Sequence, residues 1–276
     1  MINDKSIADH WASGDVYASI VSALEKMSKS LDALTMDDLA PVDHYHARGF
    51  PATVELADRL PLQTDQLIVD IGCGLGGPAR YIAKRFQCKV SGVDIAEPFV
   101  EAANKLTALL KMENQVKIEL GDGQRLPYAD ASFDGGYTQH VTMSVADRPR
   151  FFAEAYRVLK PGAFFALTEH GLGPKGDPYY PLPWSEDGSG AYLVTPSDTR
   201  AFLEAAGFED IFIEDTGPKY VAAYKTVIEK AEKGILPPLG IHILMGKTAR
   251  QKTLNSMRNI EEGRTHPLQA FCRKPR

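Results

Sequence analysis

Cysteine is scarce in this chain: three in 276 residues, at Cys73, Cys88 and Cys272. An odd, widely spaced set is no disulfide framework, and it leads us to expect a reducing compartment, the cytoplasm. None has a CxxC partner, so no structural zinc is expected. Basic charge is not in excess either: 31 Lys and Arg stand against 36 Asp and Glu, a formal net charge of −5. Neutralising phosphates needs clustered Lys and Arg, so nucleic acid is not an expected partner. No apolar run approaches the roughly 20 residues that span a bilayer. The opening Met1-Ile2-Asn3-Asp4-Lys5 has no basic region followed by an apolar stretch, so no secretory signal is expected. With 44% hydrophobic and 24% charged residues, a mainly disordered or collagen-like chain is excluded. The length suits one α/β core with an elaboration.

What is present is a regular alternation. An amphipathic pattern over residues 15–34 predicts a helix, with Ile20, Val21, Leu24, Met27, Leu31 and Leu34 on one face and Ser13 or Asp15 as its cap. Pro41 is expected to break the chain before a polar stretch, and a second helix is expected from Ala52 to Leu60. Strands are expected at 67–71, 89–94, 116–120, 132–139 and 163–168, with helices at 78–86, 98–110 and 150–159 between them. This predicts an α/β, doubly wound, mostly parallel sheet covered on both faces. Residues 171–195, rich in Pro, Gly and aromatics, read as an ordered loop. Ser197 is expected to cap a helix ending near Gly207, and 208–214 to form a strand. Residues 217–264 read as a largely helical insertion, interrupted at Pro237-Pro238, before a last strand at 266–272.

The strongest motif is Asp70-Ile71-Gly72-Cys73-Gly74-Leu75-Gly76-Gly77, set after a strand and before a helix. Such a turn needs glycine where φ is positive and where a ligand lies against the backbone. Gly72, Gly74 and Gly77 also satisfy dinucleotide spacing, so the glycines alone do not select the ligand. The acids do. Asp70 precedes the first glycine, where a pyrophosphate gains nothing and a ligand carrying ammonium or sulfonium does. Asp94 ends the second strand, about 20 residues on, where a carboxylate accepts from ribose hydroxyls. The loop Gly121-Asp122-Gly123-Gln124 follows the third strand at the same sheet edge, suited to an adenine ring.

These motifs, followed by Arg125-Leu126-Pro127 and Leu159-Lys160-Pro161-Gly162, resemble those of the class I S-adenosylmethionine-dependent methyltransferases in order and spacing, over roughly residues 65–170. The resemblance implies seven strands in the order 3-2-1-4-5-7-6, the last antiparallel. It implies S-adenosylmethionine as cofactor and S-adenosylhomocysteine as product. Carried over, it places Gly72 and Gly74 at the methionine part, Asp94 at the ribose, Asp122 and Gly123 at the adenine, and Gln139 beside the methionine moiety and the transferred methyl; Asp70, Gly76, Ile95 and Gln124 are further expected cofactor residues. Cys73 reads as a packing residue. The segment 43–49, Thr138-Gln139-His140, Pro181-Leu182-Pro183-Trp184, Pro237-Pro238-Leu239-Gly240 and the stretch 257–264 look like a bacterial small-molecule subgroup. That subgroup is similar to the sarcosine/dimethylglycine N-methyltransferases and, more distantly, to the tocopherol and sterol methyltransferases. On this reading residues 1–60 form an N-terminal helical cap. Residues 61–276 form the core, with covering segments 171–195 and 217–264.

Methyl transfer is an in-line displacement that needs alignment, exclusion of water, and a base only where the acceptor loses a proton. His140, after the fourth strand, is the candidate base; its alternative is a histidine that orders the loop. His46 is a second catalytic candidate, beside His44. Arg48 is the expected partner of an acceptor carboxylate, and Tyr45, His170 and Trp184 complete the expected acceptor site. Glu169, Tyr179, Tyr180, Arg258 and Arg264 are further candidates. The expected acceptor is a small molecule methylated on nitrogen or oxygen, amino-acid-like amines among them. The alternatives are a larger aromatic or isoprenoid metabolite methylated on oxygen or carbon, and a non-catalytic cofactor-binding protein of the same fold. A nicotinamide oxidoreductase is disfavoured by Asp70 and the 121–124 loop. A nucleic-acid methyltransferase is disfavoured because the position after strand four reads Thr138-Gln139-His140-Val141. No metal is expected, and the chain is expected to be a monomer or homodimer.

Overall fold

The computed structural model describes residues 14–276. Ser13, Trp11 and the opening Met1–Lys5 lie outside the described residues. The chain forms α1 (Val16–Lys26), α2 (Met36–Asp43), α3 (Phe50–Arg59), β1 (Leu67–Ile71), α4 (Gly77–Phe86), β2 (Lys89–Asp94), α5 (Glu97–Leu109) and β3 (Val116–Leu120). There follow β4 (Phe133–Gln139), α6 (Arg148–Val158), β5 (Leu159–Leu172), α7 (Pro196–Ala206), β6 (Glu209–Asp215), α8 (Gly217–Glu232), α9 (Ala249–Glu261) and β7 (Thr265–Arg273). The sheet order is β3-β2-β1-β4-β5-β7-β6, with β7 antiparallel to both β5 and β6. The order reverses between β1 and β4, and an open α/β sheet forms its ligand crevice at the strand ends there.

Strand alternation divides the core. Residues such as Val69, Ile71, Phe165 and Leu167 face α6 and α7, with Phe151, Phe152 and Leu203. Ile68, Tyr137, Phe164 and Ala166 face the other way, against Leu56 of α3, Ile82 of α4 and Ala103 of α5. The N-terminal helices share a third cluster with α5, through Ile20, Leu24, Leu39, Phe99 and Leu106.

Several local expectations are corrected. The first helix ends at Lys26, because Ser28 takes φ +55°; Leu31–Ala33 is a separate 3-10 turn. Asp15 is its cap, accepting from the Ala18 N–H at 2.8 Å. Pro41 does not break the chain. It lies inside α2, whose start is held by a reciprocal Thr35–Asp38 capping box. It gives up one N–H bond, to the Asp37 carbonyl, in a helix that ends two residues later. Thr195, not Ser197, caps α7, because Pro196 occupies the first helical turn. Strand β5 extends through the expected 160–162 turn and on to Leu172, with a register shift against β4 at Phe133/Gly135.

One buried ion pair ties the cap to the sheet. Arg80 of α4 donates to Asp43, the last residue of α2, at 2.5 Å and to the Leu75 carbonyl at 2.6 Å. Its other Nη donates to Thr107 at 2.7 Å. Both side chains are essentially inaccessible. The approach is so close that a Cβ on Gly77 would collide with the Asp43 backbone. A Gly77→Ala variant is therefore expected to lose about 1–3 kcal/mol, the usual cost of overpacking. Urea denaturation reads this, and an unchanged midpoint would show that the cap does not press on this loop.

Candidate active site

A cleft enclosing roughly 840 Å³ of empty, partly open space runs along the C-terminal edge of β1, β2 and β4. Its floor is the glycine turn. Gly72 takes φ +77°, and a Cβ there would strike Val141 on the opposite wall. The Asp94 carboxylate is fixed from both sides. Oδ2 accepts from the Gly74 N–H at 2.8 Å and Oδ1 from the Ala96 N–H at 2.9 Å. Burial pushes its carboxyl up, while bonds from the Ala96, Gly74 and Ile95 amides pull it back. The carboxylate keeps lone-pair capacity for a hydroxyl.

Ile95, Asp122, Gly123 and Gln124 line the same cleft, with Phe151 and Val93 as apolar wall. Asp122 is oriented by accepting from the Gln124 N–H at 2.8 Å. Gln139 lines the far end, buried, with neither its amide oxygen nor its nitrogen hydrogen-bonded. A diol-binding carboxylate, an apolar slot beside an acidic loop and an unpartnered amide fit the ribose, adenine and methionine parts of S-adenosylmethionine.

Two expected cofactor residues stand apart from this cleft. Asp70 does not line it. Its side chain turns to the α3–α5 face, where Tyr137 donates to it at 2.8 Å. Burial pushes its carboxyl up to about 8, so it is no standing anion for a cationic ligand. Gly76 does not line the cleft either. It starts α4 in the left-handed region, at φ +77°.

The cleft ends on a group of aromatic side chains. His140 lines it, held at φ +58°, which is strained for a non-glycine residue. Its backbone N–H donates to the Thr168 carbonyl at 2.8 Å, and its Nε2 lies 2.8 Å from the Tyr220 hydroxyl. The His46 ring stacks on it at 5.7 Å and His170 sits 5.3 Å away. Trp184 closes the group, 4.9 Å from His170. Tyr45 lines the cleft and packs on Phe99.

The hydrogen bonds of the 44–53 segment settle two tautomers. His46 Nδ1 lies 3.1 Å from the Ala47 carbonyl, which only accepts, so Nδ1 carries the proton. Its Nε2 then accepts from Thr53 at 3.0 Å, and Thr53 accepts from His44 Nδ1 at 2.9 Å. Both nitrogens of His46 are committed. It presents a ring face to His140 rather than a second base. Arg48, expected to face an acceptor carboxylate, instead donates to Glu55 at 2.5 Å and lies over the Tyr220 ring. Glu169 is likewise spent, on Arg148 at 2.6 Å and Thr199 at 2.5 Å. Arg258 and Arg264 do not reach the cleft; both stack on Tyr179, at 3.9 and 4.1 Å. Among the described residues no group of three potential ligands is placed to hold a metal ion. No helix among them is long and apolar enough to cross a membrane.

Thr53, Glu55, Phe151 and Tyr220 escaped the reading of the sequence. Tyr220 is 80 residues from His140, on a helix whose local pattern carries no functional signal.

Burial drives the histidines neutral. His46 is pushed down to about 4, and His44 and His170 to about 3. His140 is held well below the ordinary range by burial, with His170, His46 and Arg48 adding to it. Unfolded, each binds a proton near 6.5. The folded state therefore binds fewer protons than the unfolded one between those values, so stability is full above about 6.5 and declines as pH falls toward 4. Urea midpoints should drop between about pH 7.5 and about pH 4.5, and the drop should shrink in His170→Phe. A profile identical in both proteins would show that His170 is not buried neutral.

Replacing Asp94 by Ala should weaken S-adenosylmethionine binding about a hundredfold, for two hydrogen bonds to a charged acceptor. Calorimetry checks it, and an unchanged affinity would move the ribose elsewhere.

Residues 69–167 match the family model of a methyltransferase domain. The chain is 34% identical over 188 residues to the 27-O-demethylrifamycin SV methyltransferase of Amycolatopsis mediterranei, covering 66% of this chain and 69% of that one. It is 29% identical over 189 residues to phosphoethanolamine N-methyltransferase 3 of Arabidopsis thaliana, covering 67% of this chain and 37% of that one. Among solved structures, phosphoethanolamine N-methyltransferase 2 of Haemonchus contortus, in complex with phosphomonomethylethanolamine and S-adenosylhomocysteine, shares the fold. The TM-score is 0.76 at 20% identity, over 98% of this chain and 60% of that one. The chain spans about half or less of the length of the first curated relatives it matches. It belongs to the class I S-adenosylmethionine-dependent methyltransferases.

Proposed function

We propose that this chain transfers a methyl group from S-adenosylmethionine to the oxygen or nitrogen of a small-molecule acceptor, with His140 receiving the acceptor's proton. One observation carries this reading: the cleft that suits the cofactor ends on a buried histidine oriented by the Tyr220 hydroxyl. S-adenosylmethionine, when bound, supplies a methyl already activated on sulfonium. Asp94, Asp122, Gly123 and Gln139 would hold it.

The remaining work falls to the chain. The 44–50 segment and Trp184 cover the inner end and exclude water, which strengthens electrostatics there. In the tautomer that serves as base, His140 donates from Nε2 to the Tyr220 oxygen and keeps its lone pair on Nδ1. Neutral imidazole is the form needed to take a proton.

Amino-acid-like amines remain within this reading, but the pairing of Arg48 with Glu55 removes their expected carboxylate partner. The aromatic groups at this end, Tyr45 on the cleft and Trp184 and Tyr220 against His170, favour the second reading, a larger aromatic or isoprenoid acceptor. Turnover of methyl-labelled S-adenosylmethionine discriminates them. Sarcosine and dimethylglycine form one arm, and a pool of phenols and larger amines the other. Label in the pool is the expected result. Label in neither, with the cofactor bound, would favour a non-catalytic protein.

A further inference from the structure

Twelve buried side-chain polar atoms lack a hydrogen-bond partner among the described residues, and six of them lie in one place. They are both amide atoms of Gln139, the Thr168 hydroxyl, both ring nitrogens of His170 and the Trp184 indole N–H. Gln139 and Thr168 are register partners on adjacent strands, and His170 follows two residues on, so all three project from the same face. Trp184 lies against His170. None is more than 7% exposed. Folded proteins pair such atoms almost without exception, and a concentrated failure to do so calls for an explanation. The strip begins at the cofactor cleft, which Gln139 lines, and runs away from it past His140.

We infer that Thr168, His170 and Trp184, next to Gln139, form the acceptor subsite, and that it takes an uncharged molecule bearing at least two hydroxyl or carbonyl groups. This rests on the methyltransferase reading and narrows it. The strip offers both donors and acceptors, and no charge. Among the described residues Glu169 pairs with Arg148 and Asp43 with Arg80, while Arg48 and Lys219 share the one carboxylate of Glu55. A carboxylate, a phosphate or an ammonium ion seated on these side chains would lose its water and touch no charged group among them, which is strongly unfavourable. A neutral oxygenated molecule, such as a hydroxylated ring with a neighbouring carbonyl, supplies the hydrogen-bond partners the strip lacks.

The test separates binding from turnover. The chain saturated with S-adenosylhomocysteine is titrated by calorimetry with uncharged hydroxylated aromatic ketones, and in parallel with dimethylglycine and phosphoethanolamine. Transfer of labelled methyl is then measured on the same set. Neutral compounds should bind and the charged ones should not. Thr168→Val, which keeps the shape, should weaken the neutral ligand about tenfold, the loss of one buried hydrogen bond. His170→Phe should do the same, with cofactor affinity within about twofold in each. Binding without transfer would uphold the subsite and count against the methyltransferase reading. Transfer to the charged compounds alone would overturn the subsite and leave that reading intact. Neutral ligands that bind equally well to wild type and both variants, or that do not bind at all, would also overturn it.

Discussion

Replacing His140 by alanine should lower kcat by about 10² to 10⁴, the span typical of a positioned proton acceptor. Cofactor affinity should stay within about twofold, because the ribose and adenine contacts lie elsewhere in the cleft. The split matters. A histidine that only ordered its loop would disturb Gln139 beside it and weaken cofactor binding as well. Tyr220→Phe gives the intermediate case: it keeps the ring packed at 5.3 Å on His170 but removes the oxygen 2.8 Å from His140 Nε2. A loss of about tenfold in kcat is expected there, one hydrogen bond's worth. An acceptor series of falling pKa sharpens the distinction. A more acidic hydroxyl needs less help in losing its proton, so the His140→Ala defect should shrink along the series. A defect constant across it would assign His140 to positioning.

The second large effect concerns folding. Arg80→Met leaves Asp43 buried without its partner. Breaking a buried pair from one side costs about 3–5 kcal/mol, a large part of a typical domain's stability. The charge is not the whole loss, since the Leu75 and Ala103 carbonyls and Thr107 also give up their donor. The paired change Asp43→Asn with Arg80→Met should recover part of it, because no lone charge then remains buried. Urea denaturation measures both. If Arg80→Met alone were neutral, the pair would not be what fastens α2 to the glycine turn. Asp43 directly precedes the 44–48 segment, so the variant should also raise KM for the acceptor more than it weakens the cofactor.

Much of the cofactor end was legible in the sequence because its chemistry is local. A glycine turn after β1, an acid ending β2 and an acidic loop after β3 are each read from a few adjacent residues. Parallel topology then brings them to one edge. Asp70 shows the limit of that reading: one step of strand alternation, decided by Tyr137 on β4, turns it away from the cleft. The acceptor end depends on contacts between distant segments. Tyr220 meets His140 across 80 residues, and Arg80 meets Asp43 across 37. Arg48 is taken up by Glu55 of α3, a pairing that only the folded arrangement of the two segments sets. The four histidines were visible, but which of their nitrogens are taken follows from Thr53, the Ala47 carbonyl and Tyr220, all set by the fold.

The most direct measurement is a single turnover. Enzyme holding one equivalent of methyl-labelled S-adenosylmethionine is mixed with a neutral hydroxylated acceptor and quenched at intervals. Wild-type chain should form S-adenosylhomocysteine and labelled product in equal amounts and at one rate, and His140→Ala should form neither over the same interval. S-adenosylhomocysteine without labelled acceptor, or an equal burst from the His140 variant, would contradict the account.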